Sequence, residues 1–147
     1  SLRSAAMRLP RPCCFLALLA AAALIFPLAG CGGSKALWTE TGQASWYGKP
    51  FHGRKTASGE TYNMNKKTAA HPSLGFGTLC RVTNLKTGES VKVRINDHFP
   101  GTKGRVIDLS RASFKAIADL DEGVIQVRVE VIEWPEKGPR WRRPPGK

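Results

Sequence analysis

The fold class is decided by residues 79–96, which read LCRVTNLKTGESVKVRIN. In the second half of this stretch, apolar residues at 91, 93 and 95 alternate with polar ones, which is the period-two pattern of a strand with one buried face. The Lys-Thr-Gly-Glu segment at 86–89 supplies a turn between the two halves. The pattern therefore predicts an antiparallel hairpin of two strands, Leu79–Asn84 and Ser90–Asn96.

The same alternation continues outside the hairpin. Residues 124–132 carry Ile or Val at 125, 127, 129 and 131, and this spacing predicts a strand with those four side chains facing inward. Two shorter stretches, Gln43–Tyr47 and Gly104–Asp108, also predict strands.

One short helix follows the strand at Gly104–Asp108. Ser110 is a candidate N-cap, and Phe114, Ile117 and Leu120 line one face of a helix of about ten residues. About six strands and one helix within about ninety residues predict a mainly β fold, a small six-stranded closed barrel, because closure removes strand edges that an exported sheet would expose.

The first 31 residues predict an export signal outside this fold. A basic stretch at 7–12 precedes Cys13–Leu28, which is uncharged and shorter than the ~20 residues of a membrane span. A buried core helix is the alternative, but no other segment is apolar enough to pack around it. The Leu-Ala-Gly-Cys motif at 28–31 resembles a bacterial lipobox, which implies lipid on Cys31; an ordinary cleavage site before a cysteine is the alternative. Gly32 after the cysteine favours anchoring in the outer membrane, facing the periplasm.

The formal charge of +12 would by itself suggest a nucleic-acid partner. Divided along the chain, it becomes +3 in residues 1–31, +5 in residues 32–133 and +4 in residues 134–147. With an export signal, we therefore expect no nucleic-acid partner. We assign 32–40 to a linker, 41–133 to the barrel and 134–147 to a disordered Pro-rich tail. This basic tail is either a solvated end or a contact to anionic envelope polymer or lipid.

The cysteines predict no disulfide framework. Cys13 and Cys14 lie in the export signal and Cys31 is the lipidation candidate, so Cys80 is left without a partner and is expected in the core. No Cys/His spacing typical of zinc is present. We expect neither a metal nor a cofactor.

Three loops carry residues that could do chemistry. They read FHGRKTASGE at 51–60, TAAHP at 68–72 and NDHFPG at 96–101. Together they hold two carboxylates, Glu60 and Asp97, and one histidine, His71. A carboxylic acid can protonate a leaving oxygen, so this set is sufficient for cleavage of a glycosidic bond.

Several motifs resemble the rare lipoprotein A (RlpA) family, in order, over roughly residues 41–133. They are ASWYG at 44–48, the loop at 51–60, AAH at 69–71, VTN at 82–84, ND at 96–97 and GRVIDLS at 104–110. The resemblance implies a double-psi β-barrel, shared with expansins. It also implies a lytic transglycosylase that cuts the glycan strands of peptidoglycan, preferring strands stripped of stem peptides.

The resemblance further implies three catalytic residues. Asp97 would protonate the oxygen between N-acetylmuramic acid and N-acetylglucosamine and then accept the proton of the muramoyl C6 hydroxyl. Glu60 would stabilise the oxocarbenium-like centre, and His71 would orient Glu60 or the sugar. Taken alone, each residue is more typical of a structural role: Asp97 of a turn cap, Glu60 of a surface acid and His71 of a loop histidine bonded to the backbone.

Six further residues are candidates for substrate binding: Trp46, Tyr47, His52, Arg54, His98 and Phe99. Trp46 and Tyr47 are either core aromatics or a platform for a sugar ring. His52 and Arg54, with Lys55, either line a groove for a muramoyl carboxylate or are solvated. Asp108, before the helix cap, is expected to be structural.

The remaining two candidates mark a departure from the family. Relatives typically read Asn-Asp-Arg-Gly-Pro where this chain has His98 and Phe99 between Asp97 and Pro100. Phe99 either stacks on a sugar or partly blocks the groove. The sequence therefore predicts a peptidoglycan lytic transglycosylase, and the alternative is a non-catalytic, expansin-like module that binds or remodels the wall.

Overall fold

The computed structural model describes residues 35–136. Six strands form a closed barrel in the order β1-β5-β2-β4-β3-β6. In chain order the strands are β1 (Trp38–Tyr47), β2 (Thr68–Ala70), β3 (Leu79–Asn84), β4 (Ser90–Asp97), β5 (Arg105–Ser110) and β6 (Ile125–Glu133). Within the described range there is one α-helix, α1 (Arg111–Lys115), and two 3₁₀ turns, Lys49–Phe51 and Leu120–Glu122. The expected six-stranded barrel with one short helix is confirmed.

The barrel closes through two parallel pairings. β1 runs parallel to β5 and β2 runs parallel to β4, whereas the other neighbours are antiparallel. Gly42 allows the close approach of β1 to the chain before β5, since a Cβ at this position would meet Val106 Cγ1 at 2.5 Å and the Gly104 carbonyl oxygen at 3.0 Å. The close approach of β1 to β5 therefore requires a residue without a side chain at position 42.

The core follows from the alternation of the long strands. The apolar residues at 91, 93 and 95 in β4 and at 125, 127, 129 and 131 in β6 are all buried, while most of the residues between them are exposed or half-buried. The expected hairpin is confirmed, with Cys80 opposite Val93 and Val82 opposite Val91. Cys80 is a buried free thiol, as expected, and burial raises its pKa to about 12, so that it remains protonated.

The boundaries differ from the expected ones in several places. β1 begins at Trp38, so the stretch assigned to a linker, 32–40, contains the start of a strand. Trp134, assigned to the tail, packs against the core. The segment that forms β2 was predicted to be a loop, because its sequence shows no alternation. In the structure its three residues form a strand and are all buried. Its structure comes from pairing with β4 and β5, which are distant in sequence.

The helix is also shorter than the ten residues expected. Ser110 does act as its N-cap, accepting a hydrogen bond from the Ser113 N–H. The Phe114 carbonyl accepts from both Ile117 and Ala118 N–H groups, which tightens the last turn, and Asp119 is extended. Phe114 and Ile117 are still buried on the expected face.

Among residues 35–136, no helix has the length and apolar character needed to cross a membrane.

Ser110 ties three parts of the barrel together, which makes its hydroxyl a test of the fold. It caps α1, and it donates a hydrogen bond of 2.6 Å to the Lys66 carbonyl in the segment that enters β2. We expect Ser110→Ala to lower the free energy of unfolding by about 2 kcal/mol, measured by urea unfolding. The control Ser90→Ala, at an exposed position, should change it by less than about 0.5 kcal/mol. Equal effects of the two variants would contradict this account of Ser110.

Candidate active site

Asp97 and Asp108 lie in one row across three neighbouring strands. Ala70 in β2 pairs with Asp97 of β4 on one side and with Asp108 of β5 on the other. Paired residues in neighbouring strands project to the same face of a sheet. All three residues line a cavity of about 410 Å³, so the two carboxylates flank the small side chain of Ala70 at its wall.

Asp97 is held by the backbone at the end of β4. Its Oδ1 accepts hydrogen bonds from the Ala57 N–H at 2.8 Å and from the His98 N–H at 2.9 Å. Ala57 belongs to the loop at 51–60, and this loop is fixed to β4 by a hydrogen bond of 3.3 Å from Ser58 N–H to the Asn96 carbonyl. Because Oδ1 is occupied by two donors, a proton on this carboxyl sits on Oδ2.

Asp108 has structural partners, as expected, but it also lines the cavity. The Ser45 hydroxyl donates to Asp108 Oδ1 at 2.5 Å, and Arg105 Nε lies 3.0 Å from the same oxygen. The Arg105 Nε–H is not aligned for a hydrogen bond, so this second contact is an ion pair only. The carboxylate is therefore fixed by its neighbours through one of its two oxygens.

Tyr47 lines the same cavity as the two carboxylates and packs on a second tyrosine. Its ring stacks on Tyr62 with 4.4 Å between centroids, and its hydroxyl is buried with no hydrogen-bond partner among residues 35–136. Burial, followed by the charges of Asp97, Tyr62 and Asp108, raises the pKa of the Tyr47 hydroxyl. The hydroxyl therefore stays neutral, and Tyr47 is one of the residues that line the cavity.

Glu60, which was expected to stabilise the oxocarbenium-like centre, is not among the residues that line this cavity. Both of its oxygens bond Arg94, at 2.6 and 2.9 Å, and Asn96 Nδ2 donates to Oε2 at 3.2 Å. Arg94 alternates with the buried Val93 and Ile95 and so lies on the outer face of β4. The hydrogen bonds from Arg94 lower the pKa of Glu60 and so favour its charged form. The same hydrogen bonds hold the carboxylate on the outer face.

His71 is buried and does not line the cavity either. Its Nδ1 accepts from the Ser73 and Leu74 N–H groups, both at 3.1 Å, so the ring proton is on Nε2, 3.2 Å from Glu40 Oε2. His71 was expected to orient Glu60 or the sugar, and its carboxylate partner in the structure is Glu40 instead of Glu60. The ring instead fixes the loop that follows β2.

His71 is connected to Asp97 through that loop. Leu74 donates its N–H to the His71 ring, and its carbonyl lies 3.1 Å from Nε2 of His98. The backbone N–H of His98 in turn donates to Asp97 Oδ1. The His98 ring also stacks on Phe76, with 4.3 Å between centroids. The His71 backbone N–H also donates directly to the Asp97 carbonyl at 3.1 Å, so His71 positions Asp97 both through the backbone and through this loop.

The six expected binding residues divide into two groups. Trp46 packs against Phe114 in the core and donates to the Leu120 carbonyl, and His52 accepts from the Met64 N–H; neither lines the cavity. The other four do line it: Tyr47, Arg54, His98 and Phe99. Arg105 lies over the Phe99 ring at 5.4 Å and so links this rim to Asp108.

Sequence reasoning missed two aromatic residues of the cavity, Phe51 and Tyr62. Phe51 is 48% exposed, and its place in a loop rich in Gly and cationic residues was an available signal. Tyr62 had no such signal, because its position depends on stacking with Tyr47. Among the described residues, no group of three His, Cys, Asp or Glu side chains could hold a metal ion.

The ion pair of Glu60 with Arg94 should make stability sensitive to acid. Because the pKa of Glu60 is lowered from 4.5 in the folded protein, the pair stabilises the fold above this value and is lost as the pH falls through the lowered one. When the pH is lowered from about 6 to about 3, the urea concentration at the unfolding midpoint should therefore fall further for wild type than for Glu60→Gln. The effect should weaken with salt, since both side chains are part-exposed.

A control for this test is Glu89→Gln, which removes an exposed carboxylate outside the pair. It should lose stability on acidification as wild type does. Parallel losses in wild type and Glu60→Gln would contradict the assignment of the pair.

Comparison with known proteins agrees with this architecture. A family profile described as lytic transglycolase matches residues 39–129. A probable endolytic peptidoglycan transglycosylase RlpA of Synechocystis sp. is 54% identical over 92 residues, which are 63% of this chain and 29% of that protein. The endolytic peptidoglycan transglycosylase RlpA of Neisseria meningitidis serogroup A is 48% identical over 95 residues, 65% of this chain and 40% of that protein. The chain thus spans well under half of these curated relatives.

Solved structures support the fold alone. A Streptomyces papain inhibitor has a TM-score of 0.56 at 22% identity, covering 67% of this chain and 97% of the inhibitor. A mutant expansin of Clavibacter michiganensis in complex with cellohexaose has a TM-score of 0.55 at 22% identity, covering 69% of this chain and 54% of the expansin. With the family match over most of the barrel, the chain belongs to the lytic transglycolase family of double-psi β-barrel domains, among the relatives of rare lipoprotein A.

Proposed function

We propose that this domain cleaves the glycan strands of peptidoglycan by lytic transglycosylation, with Asp97 as both acid and base. The observation that carries the proposal is the Asp97 carboxyl in the cavity wall, with Oδ1 held by two backbone N–H groups and Oδ2 left to carry a proton. The printed activity of the relatives, endolytic peptidoglycan transglycosylase, supports the same reaction.

The reaction needs one group that first gives and then takes a proton. Asp97 donates its proton to the oxygen that joins N-acetylmuramic acid to N-acetylglucosamine. The bond from that oxygen to the muramoyl C1 breaks, and its electron pair leaves with the oxygen as a hydroxyl. The muramoyl C6 oxygen then bonds to C1 and gives its proton to Asp97, which restores the acid. No water is consumed, so a single acid and base is sufficient.

The walls of the cavity fit a sugar polymer. Phe51, Tyr47 and Phe99 offer aromatic surface for the apolar faces of sugar rings. A mutant expansin with a similar fold is found in complex with cellohexaose, which supports a carbohydrate ligand for this domain. Arg54 and Lys55 add two cations, which suit the free lactyl carboxylate of a muramoyl residue without its stem peptide.

The envelope location is also a proposal. Residues 1–31 act as an export signal and Cys31 carries the lipid that anchors the protein in the outer membrane. The basic segment 134–147 contacts anionic envelope polymer or lipid. These segments lie outside the described residues, apart from 134–136, and the sequence pattern supports both roles.

A non-catalytic, expansin-like wall-binding module is the second candidate function. His98 and Phe99 favour it, because Phe99 brings a bulky ring to the cavity beside Asp97. Binding to glycan without cleavage would support this alternative.

Asp97→Asn tests the proposed reaction. An amide cannot give a proton to the leaving oxygen, so release of 1,6-anhydro-muramoyl ends from stripped glycan strands should fall by at least about 10²-fold, followed by mass spectrometry. Binding to sacculi should persist. The control Asp119→Asn changes an exposed aspartate that makes no side-chain cap and should release ends at the wild-type rate. Sacculus binding by wild type without release of anhydro ends would overturn the enzymatic proposal.

Arg54→Gln tests the recognition of the muramoyl carboxylate. Loss of the cation should raise KM for stripped strands about five- to tenfold with little change in kcat, since the carboxylate is bound alike before and during the reaction. The matched control Lys92→Gln removes a cation from the exposed outer face of β4 and should leave KM unchanged. An equal rise in KM for strands that retain their stem peptides would contradict recognition of the free carboxylate.

A further inference from the structure

The cavity contains two carboxylates, and the second one is not the residue that the sequence motifs indicated. Among its lining residues the acids are Asp97 and Asp108, whereas Glu60 is bound to Arg94 outside it. Asp108 therefore stands where a second acidic group could act on a bound sugar.

The spacing of the two carboxylates suits one sugar ring. They lie on β4 and β5, which are separated only by β2, so their Cα atoms are about 10 Å apart given the ~4.8 Å between neighbouring strands. The residue between them is Ala70, whose single methyl group leaves the space in the middle of the row open.

Asp108 is held by two side-chain contacts. Its side chain is 15% exposed, and its Oδ1 contacts both the Ser45 hydroxyl and the Arg105 guanidinium. Neither contact uses Oδ2, so this oxygen can face a ligand in the cavity.

Tyr47 provides an independent sign that the two carboxylates face one space. Its buried hydroxyl is close enough to the charges of both Asp97 and Asp108 for each to raise its pKa. The same hydroxyl is buried and has no hydrogen-bond partner among the described residues.

We propose that Asp108 is the second catalytic carboxylate of this site, a permanent negative charge that stabilises the positive charge developing at the muramoyl C1 as the glycosidic bond breaks. The inference rests on the proposed function and replaces Glu60 in that role. Asp108 neither gains nor loses a proton; the proton moves between Asp97 and the two sugar oxygens as described above. Its contribution is therefore electrostatic and acts on the transition state more than on bound substrate.

Asp108→Asn in the full chain tests this role on glycan strands stripped of stem peptides. Removal of the charge should lower kcat by about 10² to 10³-fold, with KM within about twofold of wild type. Arg105→Gln removes the ion-pair partner but keeps the carboxylate charge, so it should reduce kcat by less than about tenfold. A purely structural ion pair would make these two variants equally slow.

The double variant Arg105→Gln with Asp108→Asn guards against misfolding of the single one. It removes both charges and so leaves no unpaired guanidinium in the site. It should fold, as judged by thermal unfolding, and be as slow as Asp108→Asn. Recovery of near wild-type turnover in the double variant would show that Asp108 only neutralises Arg105, and would overturn the inference.

The remaining outcomes separate this inference from the proposed function. If Asp108→Asn keeps turnover within about threefold of wild type while Asp97→Asn is inactive, the role of Asp108 is wrong and the transglycosylase proposal stands. If wild type releases no anhydro ends, both are overturned together.

Discussion

The site depends on β2, a strand of three buried residues held between β4 and β5. Its parallel pairing with β4 and antiparallel pairing with β5 bring the ends of two strands that are not neighbours to either side of Ala70. Asp97 and Asp108 therefore meet in one cavity only because the barrel is closed in this order. The small side chain at 70 keeps the space between them open.

The barrel separates two carboxylates that the sequence motifs assigned to one site. Glu60 and Asp97 both contact the loop and strand around Asn96, yet Glu60 lies with Arg94 on the outer face of β4, while Asp97 lines the cavity. His71 similarly directs its ring away from the cavity, to Glu40, and stabilises the loop that ends in the His98 contact. The outer ion pair and the buried histidine make contacts that stabilise the fold, and the two carboxylates that line the cavity are Asp97 and Asp108.

Local patterns were sufficient to predict most of the barrel, because the hairpin and β6 carry uninterrupted alternation. β2 was not predictable, since a three-residue strand buried on both faces has no alternation and takes its place from distant partners. The same limit applies to the site. Asp97, Arg54 and Phe99 were found from loop motifs, whereas the position of Asp108 opposite Asp97 follows from strand order and register. The position of Glu60 could not be predicted either, because it depends on which face of β4 presents Arg94.

The most direct test of the account is the structure of Asp97→Asn bound to a stripped glycan strand, in which the inactive amide preserves the substrate. The account predicts that the bond between N-acetylmuramic acid and N-acetylglucosamine lies in this cavity. Its bridging oxygen should be about 3 Å from the side chain at 97, with the muramoyl ring between that side chain and Asp108. A glycan strand bound on another face of the barrel, or one with the bridging oxygen beyond hydrogen-bond reach of position 97, would contradict it.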